Sequence, residues 1–294
     1  MSAIAKTIVA TGASSGLGFE AIKTLLGQAQ PYKFILGARN VGTTEAAYSK
    51  LGFDSTRHTL TVLPLELSDL RTAKTFAQQT LEHLGHDKLD YLLLNAATTS
   101  VGADPSPHGP AKWCEAYVVN HLSQHYLIHL LREKLAASKS RVVVVSTGAI
   151  RQISDPKTLD VDLKAGSAAK GLDLYAADKF AQFLGAQWWR RQLQGQATVV
   201  AVSPGLIPDT GLGRGGNMTI PDNLPDAKSV AEGAASILAA FTRDDVPADP
   251  EQVFLTSWGE WWPKDVYAPA LDKDLQDKWS PSKEEIEKEA GISA

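Results

Sequence analysis

Residues 141–146 read Arg-Val-Val-Val-Val-Ser, a strand-length run with no polar face. A strand with one face in water alternates apolar and polar residues. A run that is apolar on both sides has to be covered on both sides. Runs of similar character recur at Thr7–Ala10, Lys33–Ala38, Thr59–Leu65, Leu89–Leu94 and Ala197–Ser203, with a shorter one at Gln252–Leu255. Helix-like segments lie between them, near Gly18–Gln28, Thr43–Leu51, Asp69–Leu84, Ala111–Ala137 and Tyr175–Gln194. This alternation predicts an α/β chain with a doubly wound Rossmann fold: a parallel sheet of about seven strands with helices on both faces.

The 294 residues are 44% hydrophobic and 21% charged, which suits one large α/β domain, and no linker divides them. We read residues 1–294 as a single domain. Two stretches break the alternation. Residues 150–171 are polar without clear periodicity, and residues 204–225 are rich in Gly, Pro and Asp. Both follow strands at the carboxyl edge, where open α/β sheets bind ligands, so both read as substrate-side loops. Near the C-terminus, Ser280-Pro-Ser282-Lys-Glu-Glu285 carries a capping pattern that opens a short helix.

The net charge of −4 gives no bias toward nucleic acid. The one cysteine, Cys114, leaves no intramolecular disulfide and fits a reducing compartment. No apolar stretch is long enough to span a membrane, and no leader pattern precedes the first strand. The expectation is a cytoplasmic protein acting on a small molecule. A homo-oligomer is compatible with the sequence but not indicated by it.

Thr11-Gly-Ala-Ser-Ser-Gly-Leu-Gly18 follows the first strand run. Gly12, Gly16 and Gly18 permit a tight turn and a close backbone approach to a pyrophosphate. The helix that starts there aims free N–H groups and its positive end at that phosphate. The second strand run ends Leu36-Gly-Ala-Arg39-Asn40. An acidic residue at this place would hold the ribose hydroxyls of NAD. Arg39 instead suits a 2′-phosphate, which makes NADP(H) the expected cofactor.

Tyr175-Ala-Ala-Asp-Lys179 puts a phenol and an ammonium one helical turn apart. A phenol with a cation beside it titrates lower and can act as a general acid.

In this order the segments resemble the short-chain dehydrogenase/reductase family. The glycine turn matches its TGxxxGxG. Leu94-Asn95-Ala96-Ala97 looks like its NAG strand end, and Val119-Asn120-His121 like the VNH of its fourth helix. Arg141–Thr147 looks like its serine strand and Ser203-Pro204-Gly205 like its PG turn. Ala38-Arg39-Asn40 and Asp209–Arg214 look most like the retinol-dehydrogenase and protochlorophyllide-reductase branch.

The resemblance implies an NADPH-dependent oxidoreductase acting on a carbonyl or alcohol substrate. It implies Tyr175 as proton donor and Lys179 as the cation that lowers the Tyr175 pKa and holds the nicotinamide ribose. Asn120 would complete a water-linked proton relay through Lys179. Ser14, Ser15, Leu17, Glu66, Leu67, Ala96, Pro204, Gly205 and Thr210 would join the three glycines around the cofactor. Asn95 would stand beside the adenosine ribose and Ile207 at the nicotinamide end.

Counting from Arg141, the catalytic serine position falls on Thr147, with Ser146 just before it. Neighbours on a strand point to opposite faces, so one hydroxyl of the two faces the site, and the count selects Thr147. His121, His125 and His129 repeat every four residues, but no partner ligand completes a metal site. The sequence therefore predicts no metal. Trp258, Trp261 and Trp262 follow the last strand run and read as packing or a pocket wall. Two alternatives stand beside the main reading. One is an NADPH-holding sensor without turnover, and the presence of both Tyr175 and Lys179 weighs against it. The other is an epimerase or dehydratase of the extended branch, whose TGxxGxxG this chain lacks.

Overall fold

All seven expected runs form strands of one parallel sheet, ordered β3-β2-β1-β4-β5-β6-β7. The computed structural model describes residues 4–99, 102–208, 224 and 226–293. The strands are β1 Lys6–Thr11, β2 Tyr32–Ala38, β3 Thr59–Pro64, β4 Tyr91–Leu94, β5 Arg141–Val145, β6 Thr198–Val202 and β7 Phe254–Leu255. The order reverses between β1 and β4, which opens a crevice past their carboxyl ends.

The four valines of β5 show why both faces must be covered. Val142 and Val144 enter one core, and Val143 and Val145 enter the other. Burying each side chain contributes roughly 1.5–3 kcal/mol. One face is covered by α3 (Leu70–Leu84), α5 (Ser123–Ser138) and α7 (Gly171–Gln192). The other is covered by α1 (Gly16–Leu26), α2 (Val41–Ser49) and α8 (Val230–Thr242). Among the described residues no helix is long and apolar enough to cross a membrane.

The structure departs from the sequence reading in four places. The helix expected over Ala111–Ala137 is divided: α4 (Glu115–Tyr117), a π-turn over Val118–Leu122, then α5. Apolar periodicity does not register such a local change in pitch. Helix α8 was not expected, although its Ser229 and Glu232 cap each other through Glu232 N to Ser229 Oγ (3.2 Å) and Ser229 N to Glu232 Oε2 (2.8 Å). Residues 150–171 are not a plain loop. They hold 3-10 turns at Gly148–Gln152 and Pro156–Thr158 and the short α6 (Leu159–Asp162), anchored by buried Ile150, Leu159 and Leu163. Helix α7 then begins at Gly171, a turn earlier than expected. Of residues 204–225, those at 209–223 and 225 lie outside the described residues, and Thr210 is among them.

The C-terminal segment carries α9 (Lys273–Lys278) and α10 (Lys283–Glu289), with the expected Ser282–Glu285 capping box. It is held by the three histidines. His121 Nε2 meets the Trp279 carbonyl at 2.7 Å, and His125 and His129 meet the Pro281 carbonyl at 2.9 and 3.1 Å. Trp189 Nε1 donates to His125 Nδ1 at 2.8 Å. Gly185 makes room for the stack, since a Cβ there would lie 2.6 Å from His121 Cε1. Glu287 is buried and accepts from the Tyr126 hydroxyl at 2.7 Å.

Burial pushes His121 and His129 each down to about 4, and His125 well down. The unfolded chain takes up protons as pH falls through about 6.5, while the folded chain resists until about 4, so stability is lost across that window. The melting temperature is expected to drop steeply between pH 6.5 and 5, above the range where most carboxylates titrate. Thermal melts over that interval check it, and a flat profile would show that the stack does not govern acid stability.

Candidate functional site

The turn after β1 is fixed from behind. Gly12 and Gly16 have φ of +66° and +57°. A Cβ on Gly12 would lie 2.6 Å from Ala96 Cα, and one on Gly18 would lie 2.4 Å from the Gly12 carbonyl oxygen. Asn95 Nδ2 donates to that oxygen at 2.8 Å, and the buried Tyr48 hydroxyl donates to the Ala13 carbonyl at 2.6 Å. Asn95 thus braces the glycine turn with the amide that the resemblance assigns to a ribose.

Helix α1 starts without a side-chain cap: Ser15 makes no capping bond, and its first turn has no acidic residue. Helices α2 and α3 are capped by Asn40 and Asp69. The open N-terminus of α1 borders a cleft of about 1060 Å³. Gly12, Ser14, Ser15, Gly16, Leu17, Arg39, Glu66, Leu67, Asn95, Ala96, Ser146, Thr147, Tyr175, Lys179, Pro204, Gly205 and Ile207 all line it. So does Trp258. Gly18 and Asn120 stand behind the wall. Trp262 instead stacks on Phe254, with ring centroids 4.4 Å apart.

Tyr175 is half-buried on α7 and forms a side-chain hydrogen bond with Thr147. The Thr147 hydroxyl also accepts from Ala149 N at 3.2 Å. Ser146 Oγ is buried with no partner among the described residues. Both residues line the cleft, and Thr147 is the one bonded to the phenol. Lys179 is buried, and its Nζ donates to the Val145 carbonyl at 2.8 Å and to Gln182 Oε1 at 2.7 Å. Asn120 lies in the π-turn. Its side chain accepts from Thr98 N at 2.7 Å and donates to the Thr98 carbonyl and to Asp178 Oδ1, both at 2.9 Å.

The electrostatics differ from the family expectation. Burial raises the Tyr175 pKa, the nearby Asp178 raises it further, and only the Thr147 hydrogen bond pulls it down. The net direction is upward, and the lowering expected from Lys179 is not among these influences. Burial lowers the Lys179 pKa against the opposing pull of Asp178. Asp178 is fully buried, its Oδ2 has no partner among the described residues, and burial raises its pKa. Cys114, fully buried, has its thiol pushed up to about 11.

Sequence reasoning missed Asp178 and Gln182. Asp178 was visible as an acid directly before Lys179, and Gln182 as the next residue of its helix face. Arg39 is exposed at the cleft rim, where its charge reaches Glu115. No cluster of metal-ligating side chains occurs among the described residues.

Comparison with known proteins fits this geometry. The sequence model of the family described as "short chain dehydrogenase" matches residues 6–156. A short-chain dehydrogenase/reductase of Pestalotiopsis microspora is 61% identical over 97% of this chain and 98% of its own length. Retinol dehydrogenase 14 of Mus musculus is 30% identical over 71% of this chain and 63% of its own. Among solved structures, an NADPH-bound carbonyl reductase from chicken fatty liver superposes with a TM-score of 0.66 at 19% identity, over 88% of this chain and 98% of the other.

Burial raises the Asp178 pKa, whereas the unfolded chain ionises it above about 3.8, so its contribution to stability falls as pH rises from that value toward the raised folded pKa. Asp178→Asn keeps the shape and removes the titration. At pH 8 it is expected to raise the melting temperature by at least about 2 °C, the scale of 1 kcal/mol in a chain of this size. Calorimetry checks this, and a fall of the same size would mean that Asp178 is a stabilising anion.

Proposed function

Because the chain belongs to the short-chain dehydrogenase family, we propose that it is an NADPH-dependent oxidoreductase. It interconverts a carbonyl and an alcohol, with Tyr175 as proton donor. The observation that carries this reading is one cleft joining the uncapped end of α1 and Arg39 to the Thr147–Tyr175–Lys179 group.

The residues fit a dinucleotide. The start of α1 offers unpaired N–H groups and a positive end with no acid to neutralise it, which suits a pyrophosphate. A Cβ added at Gly16 would meet nothing within 4 Å, so the backbone there is open to an incoming group. Arg39 at the rim suits a 2′-phosphate. The cleft reaches the upper end of the roughly 300–1,000 Å³ range of small-molecule pockets, with room for a cofactor and a substrate. When bound, NADPH supplies the hydride.

The side chains of this protein do the rest. Thr147 and Tyr175 present two hydroxyls to the substrate oxygen. Thr147 accepts from Ala149 N, which leaves its own proton free to donate. Tyr175 enters the reaction neutral, as its burial dictates, and gives its proton to the oxygen as negative charge builds there. Lys179 then faces the phenolate that remains. Two of its N–H groups are tied to Val145 and Gln182, so the third is left for the phenol side and the nicotinamide ribose. In the alcohol-oxidising direction the same groups act in reverse. The exposed apolar side chains Leu172, Leu206, Leu224 and Trp258 line the cleft and favour a substrate with apolar bulk.

NADPH is expected to bind more tightly than NADH in calorimetry. Arg39→Ala should cost about 1.5–3 kcal/mol for NADPH alone, the range for a charge-assisted contact. Equal affinities in the unaltered protein would remove the cofactor assignment. Turnover is read with a panel of ketones, aldehydes and alcohols followed by NADPH absorbance. Tyr175→Phe should abolish it while cofactor binding persists. Thr147→Val should lower it about 100-fold, the usual cost of a lost oxyanion donor, whereas Ser146→Ala should be mild. The reverse ranking of Thr147 and Ser146 would overturn the role given to Thr147.

A further inference from the structure

Gln182 lies three residues after Lys179 on α7, so the two side chains share one helix face. Its Oε1 accepts from Lys179 Nζ at 2.7 Å, and its Nε2 donates to the Asn120 carbonyl at 2.8 Å. Turned over, the amide would aim an NH₂ at an ammonium and an oxygen at a carbonyl, so its partners fix its orientation. The Asn120 carbonyl belongs to the π-turn, where the regular helical ladder is interrupted, and it also accepts from Gln124 Nε2 at 3.0 Å. All three residues are buried: Gln182 is 4% exposed, Lys179 2% and Asn120 0%.

One side chain links Lys179 to the Asn120 carbonyl with a bond at each end. We infer that Gln182 is a positioning residue: its amide holds Lys179 as an ammonium and ties it to the Asn120 carbonyl. The inference rests on the role given to Lys179 above.

The surroundings leave this task to Gln182. Among the described residues, the titratable groups acting on Lys179 and its neighbours are Asp178 and Tyr175 on its own helix and, beyond Asp178, the Cys114 thiol. The strand end and the π-turn present neutral groups: the Val145 carbonyl, Thr147 and Asn120. A buried ammonium that loses one of two acceptors sheds its proton more easily. Replacing the amide by a carboxylate has the opposite effect.

The test is NADPH binding by the full chain, followed by fluorescence from about pH 7 to 10, with a thermal melt of each protein. In the unaltered protein, affinity should weaken as Lys179 loses its proton. Gln182→Leu should move that midpoint down by about one pH unit, weakening binding about tenfold at pH above both midpoints. Gln182→Glu should move it up. Opposite shifts cannot come from loosened packing, which would weaken binding alike at every pH. Should Gln182→Leu fail to fold, the Gln182→Glu shift decides alone. An unchanged midpoint in a folded variant overturns the inference and leaves the cofactor reading intact. No NADPH binding by the unaltered protein would overturn both.

Discussion

The Thr11 hydroxyl connects parts of the molecule that the sheet alone would leave independent. It accepts from the backbone N–H groups of Asn95 and Ala96, both at 3.2 Å, and donates to Gln124 Oε1 at 3.0 Å. Gln124 in turn donates to the Ala96 carbonyl at 2.9 Å and to that of Asn120. The carboxyl ends of β1 and β4 are thereby locked to each other and to the π-turn behind them. These bonds are buried or part-buried, and a buried polar group left without its partner costs about 1–3 kcal/mol. The network therefore tolerates little slack. The glycine turn, the Asn120 carbonyl and the Lys179 tether inherit their positions from it.

The fold was legible because its determinants are local and repeated. Doubly apolar strands and helical periodicity follow directly from the need to cover a parallel sheet. The π-turn, helix α8 and the turns within residues 150–171 were not legible for separate reasons. A π-turn changes hydrogen bonding without changing apolar spacing. Helix α8 is rich in alanine, so its buried face carries little contrast, although Ser229 and Glu232 announced its start. The turns are held by a few buried side chains, Ile150, Leu159 and Leu163, spaced too irregularly to read as a period.

The candidate site was legible in its residues but less so in its electrostatics. Tyr175, Lys179, Asn120 and Thr147 could be placed by motif and by strand alternation. The sequence could not reveal that Lys179 spends its hydrogen bonds on Val145 and Gln182. Nor could it reveal that burial and Asp178 together raise the Tyr175 pKa. Such properties depend on desolvation, which is set by residues far apart in the chain. Asn95 makes the same point. Its side chain donates to the Gly12 carbonyl, so a residue that resembles a ligand contact also fixes the shape of the glycine turn.

The histidine stack has a consequence for how the chain is made. His121, His125, Tyr126 and Trp189 are buried beneath residues 279–289, which leave the ribosome ninety or more residues after Trp189 itself. Until that segment arrives, a nascent chain can form its sheet and helices yet still present aromatic surface and unpaired imidazoles along α5 and α7. Surface of this kind on an unfinished chain invites association with other chains. Closure of this layer is therefore a late event in biogenesis, after the sheet that carries the cleft is already in place.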